Sequence, residues 1–245
     1  MGCNSSEPSL SFDKSTNNQV VNNNHIEDIP LMELRNTECH VKKIHSYQTA
    51  GMRAIVISDT HLGKFSPAEP HIPKLFEYLN KIVEDNSATI IFWLGDIFDI
   101  KAENRQQNGQ SFIDLFSEFQ VPIQFISGNH DRSLYHKLNV HGSMVYNREK
   151  ILKIRSQSPT EISLFLSHDF GNSFRVKNED VPSFLISNKI AQKKFIKSDD
   201  WVLTGHVHFT YINEENKIAS ISPFSFDLDC FSYCLITENS NGFNF

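Results

Sequence analysis

The chain has 245 residues, enough for one large α/β domain that buries its core without covalent staples. A hydrophobic fraction of 39% with 20 Phe points to a packed globule, and a net charge of -6 gives no reason to expect a nucleic-acid groove or a stable nucleic-acid complex. Four Cys are too few for a disulfide scaffold and fit a reducing, cytoplasmic compartment; no apolar run is long enough to span a bilayer.

Residues 1–50 are polar and Asn-rich, with little apolar surface to bury, and are expected to form a disordered tail ahead of a domain over 51–245. The opening Met1-Gly2-Cys3-Asn4-Ser5-Ser6 matches the pattern in which an exposed Gly2 is myristoylated. Palmitoylation of Cys3 would supply the second lipid that stable membrane attachment requires. Peripheral membrane association through the amino terminus is therefore an expectation of the sequence.

From Arg53 the chain becomes Ala54-Ile55-Val56-Ile57, a strand buried on both faces, which ends in Ser58-Asp59-Thr60-His61. Asp59 and His61, two apart, share a side of extended chain and can reach one metal ion. An amphipathic helix over 69–84 follows, with Leu75, Leu79, Ile82 and Val83 in one stripe. A second strand, 89–94, ends in Gly95-Asp96-Ile97-Phe98-Asp99. A helix over 111–119 leads to a third strand that runs into Ser127-Gly128-Asn129-His130-Asp131. Asp131 can also be read as favouring the dipole of a helix that Asn129 would cap. The alternation βαβαβ predicts a largely parallel sheet, which binds ligands at the carboxyl ends of its strands.

A short helix over 134–138 precedes two strands, 151–154 and 162–166, expected to pair; the second ends in Ser167-His168-Asp169. After a helix over 181–194, a fifth short run, 201–203, ends in Thr204-Gly205-His206-Val207-His208. Strands at 217–221 and 231–237 are expected to close a second sheet. Cys230 and Cys234 fall on one expected strand, about 13 Å apart and too far to bridge.

Five strand ends thus each present Asp, Asn or His, and they take five of the 11 His. Carboxylates, imidazoles and an amide oxygen, without Cys, suit Mn, Fe, Zn or a similar divalent ion. There are too many ligands for one ion. Two ions sharing a carboxylate would use them all and clamp an in-line displacement at phosphorus.

In order along the chain, Asp59-x-His61, Gly95-Asp96-x-x-Asp99, Gly128-Asn129-His130-Asp131, His168 and Gly205-His206-x-His208 resemble the calcineurin-like metallophosphoesterases. The resemblance implies an α/β fold, a four-layer αββα sandwich of two mixed β-sheets flanked by helices, and two divalent metal ions per chain. It places Asp59, His61 and His208 on one ion, Asn129, His168 and His206 on the other, and Asp96 between them. His130 looks like the general acid, oriented by Asp99, with a metal-bridging hydroxide as nucleophile. Two divalent cations less two carboxylates and a hydroxide leave about +1 to meet a phosphate.

The Ser/Thr protein phosphatases carry Asp-Arg-Gly and Glu where this chain has Asp99-Ile100-Lys101 and Asp131, so the resemblance is to the small phosphoesterase and phosphodiesterase branch. The branch that hydrolyses lipid-linked sugar nucleotides shares the Gly-Asp-Ile-Phe-Asp block but usually has Arg in place of His130. Members that serve as protein-binding scaffolds have usually lost ligands that this chain keeps. The expected substrate is a phosphorylated small molecule or nucleotide (a phosphodiester, pyrophosphate or small phosphomonoester), with Lys64, Arg132 and Arg175 as candidate phosphate contacts.

Overall fold

The computed structural model describes residues 51–62, 71–99, 114, 116, 119–131, 144–147, 151–156, 159, 161–171, 176–225, 230–239 and 242–245. Residues 1–50, the helix expected over 134–138, and Lys64, Arg132 and Arg175 lie outside them. Of the helix expected over 111–119, Asp114 and Phe116 are helical and Phe119 lies beyond its end.

Four strands form the parallel part of the first sheet: β1 (Arg53–Ile57), β2 (Ile90–Leu94), β3 (Ile123–Ile126) and β4 (Met144–Asn147). β5 (Ile151–Arg155) and β6 (Ser163–Ser167) pair antiparallel, as expected, and β7 (Trp201–Thr204) lies parallel to β6. β8 (Tyr211–Asn213) and β9 (Ile218–Ser220) complete a five-stranded sheet in the order β5-β6-β7-β9-β8. A small two-stranded ladder joins β10 (Phe224–Ser225) to β11 (Cys230–Phe231).

One expectation fails at the last strands. The segment expected over 231–237 to close the second sheet is divided, and its larger part, β12 (Cys234–Asn239), returns to pair antiparallel with β1. β13 (Gly242–Asn244) then pairs with β12, so the first sheet has six strands in the order β13-β12-β1-β2-β3-β4. β12 can leave the second sheet because Cys234 and Ile236 belong to the apolar layer between the sheets, which either sheet can border. Cys230 and Cys234 accordingly sit on different strands, both as free thiols.

Alternation along each strand divides the core into three apolar layers. Ala54 and Val56 of β1, Phe92 and Leu94 of β2, Leu164 and Leu166 of β6, and Trp201 and Leu203 of β7 meet between the two sheets. The opposite face of the first sheet, with Ile55, Ile57, Ile91, Trp93 and Phe125, is covered by α1 (His71–Asp85) through Leu75, Leu79, Ile82 and Val83, and by Phe116 and Phe119. The outer face of the second sheet, with Phe165, Val202 and Ile218, is covered by Val181 and Leu185 of α2 (Val181–Ala191). The result is a four-layer αββα sandwich. Because both faces of β1, β2, β6 and β7 are covered, these strands read as continuous apolar runs.

α2 stops at Ala191, three residues short of its expected end. The Gln192 N–H reaches back to Asn188 O, and the next donors, Lys193 and Phe195, bond only three residues back to Ile190 and Gln192, tightening the chain into turns.

Candidate metal centre

The loops that follow β1 and β2 continue the ladder of the strands that deliver them. Asp59 N donates to Gly95 O, His61 N to Asp96 O, and Leu62 N to Ile97 O at 3.1, 2.9 and 2.7 Å. Asp59 and His61 thereby stand beside Asp96 on the neighbouring loop. β6 and β7 bring their own ends to the same place, where His206 N donates to Asp59 Oδ2 at 2.9 Å.

Two of the glycines make this approach feasible through the space they leave. A Cβ on Gly128 would lie 2.1 Å from the Asp96 backbone nitrogen, and one on Gly205 would lie 1.9 Å from Ser58 Oγ. Gly128 thus serves a close approach of two loops. Five candidate ligands also adopt left-handed backbone: Asp59, His61, Asp96, His206 and His208, with φ of 53°, 48°, 46°, 65° and 50°. Such conformations cost energy for residues with a Cβ and concentrate at functional sites.

All seven candidate ligands and both candidate catalytic residues, His130 and Asp99, converge here. Asp59, His61, Asp96 and His168 are buried and form the floor, while Asn129, His130 and His208 stand exposed on the rim. His208 Nε2 is 3.2 Å from Asp59 Oδ1, and His61 Nε2 is 4.0 Å from the same atom. On the other side, His168 Nε2 lies 3.0 Å from Asn129 Oδ1, 3.1 Å from His206 Nδ1 and 3.2 Å from Asp96 Oδ2. Asp59 is within reach of both groups, and His61, Asp96 and His130 form a third overlapping one. His130 Nδ1 is 3.4 Å from Asp99 Oδ1, and His61 Nδ1 is 3.8 Å from Asp99 Oδ2.

Two features fit divalent cations at this place. His168 Nε2 carries at most one proton yet faces an amide oxygen, a carboxylate oxygen and another imidazole nitrogen, and one hydrogen cannot serve both oxygens together. Both ring nitrogens of His61 are buried without a hydrogen-bond partner, a costly arrangement that a metal ligand role would relieve. The ring of His168 is already oriented for such a role, since Nδ1 sits 2.7 Å from Leu94 O and its proton leaves Nε2 free to ligate.

In the metal-free state protons partly replace the cations. Burial works against charge on His168, but the hydrogen bond to Asp96 and the fields of Asp59 and Asp96 raise its pKa to about 9. Burial likewise opposes ionisation of Asp96, yet its contacts with His168 and the His130 N–H lower it to about 2. Asp59 is held below its ordinary value in the same way, burial being outweighed by His208, His168 and Ser58. Burial lowers His61 and His206, keeping these imidazoles neutral and able to ligate.

Three supporting residues escaped the sequence-based search. Ser58 Oγ lies 2.5 Å from Asp59 Oδ2 and 2.7 Å from Leu94 O, so it sits between a ligand and the carbonyl that orients His168. Thr204 Oγ1 donates to His168 O at 2.8 Å and accepts from Phe170 N at 3.2 Å, tying the loop after β6 to β7. Asp131 is fully buried and has a job other than favouring a helix dipole. Its Oδ1 accepts from Phe98 N at 3.0 Å, and its Oδ2 accepts from Gly128 N at 2.9 Å and Ile97 N at 3.3 Å, locking the third loop to the second. Burial, with help from the Asp96 charge, raises its pKa to about 6 despite those N–H donors. The adjoining Ser-Asp pair at 58–59 and the acid after His130 were the available signals, but the partners that tie loop to loop, Leu94 O for Ser58 and the Ile97 and Phe98 N–H groups for Asp131, lie more than 30 residues away.

Comparisons with known proteins bear on the family. The family described as calcineurin-like phosphoesterase matches residues 52–219. An uncharacterized protein of Methanocaldococcus jannaschii, MJ1445, is 24% identical over 201 residues, covering 72% of this chain and 89% of that protein. Among solved structures, the nuclease MPE of Pseudomonas putida shares 14% identity with a TM-score of 0.37, over 70% of this chain and 74% of its own. The matched stretch contains every candidate ligand from Asp59 to His208 and covers well over half of the chain, which therefore belongs to the calcineurin-like phosphoesterase family.

Proposed function

We propose that the chain hydrolyses a phosphoester, with Asp59, His61 and His208 holding one divalent ion, Asn129, His168 and His206 a second, and Asp96 reaching both. The observation that carries this is the convergence of Asp96, Asn129 and His206 on one His168 nitrogen, beside a buried His61 whose ring nitrogens have no hydrogen-bond partner. When bound, such ions polarise a phosphoryl oxygen and make water a nucleophile near neutral pH.

The residues around them perform the rest. Neutral imidazole and amide ligands leave the site cationic enough to attract a phosphate anion. His130 stands on the rim with 41% of its side chain exposed, beside the buried Asp96 at 3.9 Å, where a leaving oxygen can reach it. Its proton passes from the imidazole to that oxygen, and Asp99, 3.4 Å from Nδ1, orients the ring. Phosphodiesters, pyrophosphates and small phosphomonoesters suit this arrangement, with Lys64, Arg132 and Arg175, outside the described residues, as candidate phosphate contacts.

Purified protein reconstituted with Mn, Fe or Zn should turn over bis-nitrophenyl phosphate or nitrophenyl phosphate and lose activity to a chelator. Folded, metal-loaded protein that cleaves neither compound with any of these ions rejects the proposal.

A further inference from the structure

The end of the second sheet remote from the metal centre has its own chemistry. Beyond α2 the chain turns before entering β7, and this turn exposes Phe195 to 57% and the nearby Ile190 to 62%, the two most exposed large apolar side chains among the described residues. Lys193, Lys194 and Lys197 flank them, all exposed.

The edge strand β5 extends the positive field. Burial lowers the pKa of Lys153, and the charges of Arg155 and Lys197 push it the same way while Asp200 opposes them, so the three cations share one neighbourhood. Asp200 joins the two elements, accepting from Lys197 N at 2.9 Å and from Ser163 N at 2.8 Å, and Ser163 is the register partner of Arg155. The carboxylates nearby are the exposed Asp199 and Glu161, the buried Asp200, and Glu214 and Glu215 in the turn before β9, whose Asn216 O accepts from Lys189 Nζ at 2.6 Å. Residues 192–197 carry three lysines and no carboxylate, a local exception in a chain of net charge -6.

The attachment of the amino-terminal segment falls beside it. β1 and β7 both run toward the metal centre, so their starts lie at the opposite end. Met52 O accepts from Glu238 N at 2.9 Å, and Glu238 Oε1 accepts from Ser156 Oγ at 2.9 Å, next to Arg155. The chain that begins Met1-Gly2-Cys3 thus joins the domain on the same side as the basic and apolar turn.

We propose that the surface around Phe195 docks on an anionic lipid bilayer, with Phe195 and Ile190 entering the boundary between headgroups and acyl chains and the lysines meeting the headgroups. Aromatic and aliphatic side chains ringed by cations gain from such a boundary, and a basic patch is the second signal that a single acyl chain needs. A nucleic acid would leave Ile190 without a hydrogen-bonding or stacking role. If the proposed hydrolysis is correct, docking by this end turns the metal centre toward water, and the substrate is soluble instead of a lipid of the same membrane.

The test uses the full chain with Gly2→Ala, so that acylation contributes nothing. Its sedimentation with vesicles of phosphatidylcholine containing about one-third phosphatidylserine is compared with that on phosphatidylcholine alone. Partition at low salt should favour the anionic vesicles at least about tenfold, and Lys193→Glu with Lys194→Glu should lower it about 25-fold or more, taking about fivefold per cation. Phe195→Ser should lower it about tenfold. Metal content and turnover of soluble nitrophenyl esters should be unchanged in these variants, which checks their folding. Equal partition on the two vesicles, or undiminished binding by the charge-reversed variant, overturns the proposal. So does charge-sensitive binding to single-stranded RNA without binding to vesicles.

Discussion

Asp96 and His168 hold each other charged when no metal is bound, which gives the metal-free protein a distinctive response to pH. The folded pKa of His168, about 9, lies above the ordinary 6.5. Its contribution to stability is therefore complete below about pH 6.5 and disappears as pH rises through 9. Asp96 contributes in the opposite direction: its stabilisation is present above 3.8 and is lost as pH falls toward 2. Chelator-treated protein should melt at a lower temperature at pH 9 than at pH 6.5, while metal affinity rises over the same interval because binding expels the His168 proton. An unchanged apo melting temperature with a pH-independent affinity would remove His168 as the proton store. Asp131→Asn tests the clamp below the site. One amide oxygen cannot accept all three N–H groups, so the variant should lose about 1–3 kcal/mol in thermal or urea unfolding. The candidate ligands themselves were legible because they cluster at the ends of apolar runs that stop at a glycine or a serine. The clamp was not, since nothing local distinguishes a carboxylate that bonds backbone 33 and 34 residues away.

Whole strands follow the same division between local and distant information. β1, β2, β6 and β7 announce themselves because burial on both faces demands continuous apolar sequence, and α1 because one face alone is covered. β12 announces itself as a strand but not its partner: Ala54 pairs with Ile236 across most of the chain, and the choice of sheet depends on which edge is left open. β8 and β13 have three residues each, too few to show a period. An equally hidden device holds α2 in place. Lys189, 7% exposed, points its ammonium at Asp200 O and Asn216 O, both at 2.6 Å, and at Ser198 O at 2.9 Å. This joins the helix to the entry of β7 and the turn before β9. Lys189→Met keeps much of the side-chain volume but leaves those carbonyls without their donor, and should cost about 2 kcal/mol in unfolding experiments. Metal content should stay at the wild-type level, because the strand ends that carry the ligands are at the other end of the sheet.

The metal centre draws on both sheets, and this makes metal binding a property of the whole sandwich. Asp59, His61, Asp96 and Asn129 come from the first sheet, and His168, His206 and His208 from the second. The apolar layer between the sheets holds them together along their length. At the site end the floor is carboxylate and imidazole, and without cations its desolvation is offset by contacts such as His168 with Asp96 and His206 N with Asp59. Metal that binds only the folded chain stabilises it by mass action, about 2.7 kcal/mol at a hundredfold excess over Kd. For a chain of this size that corresponds to a rise in Tm of about 5–10 °C. A chelator should therefore lower Tm by that amount, and hydrogen exchange should quicken first at the amides of Asp59, His61 and His206 while those of Ile55 and Phe92 stay protected. The same comparison on Asp96→Asn should show a much smaller chelator effect if Asp96 reaches both ions as proposed. Equal chelator shifts in the two proteins would mean that the stabilising metal binds elsewhere.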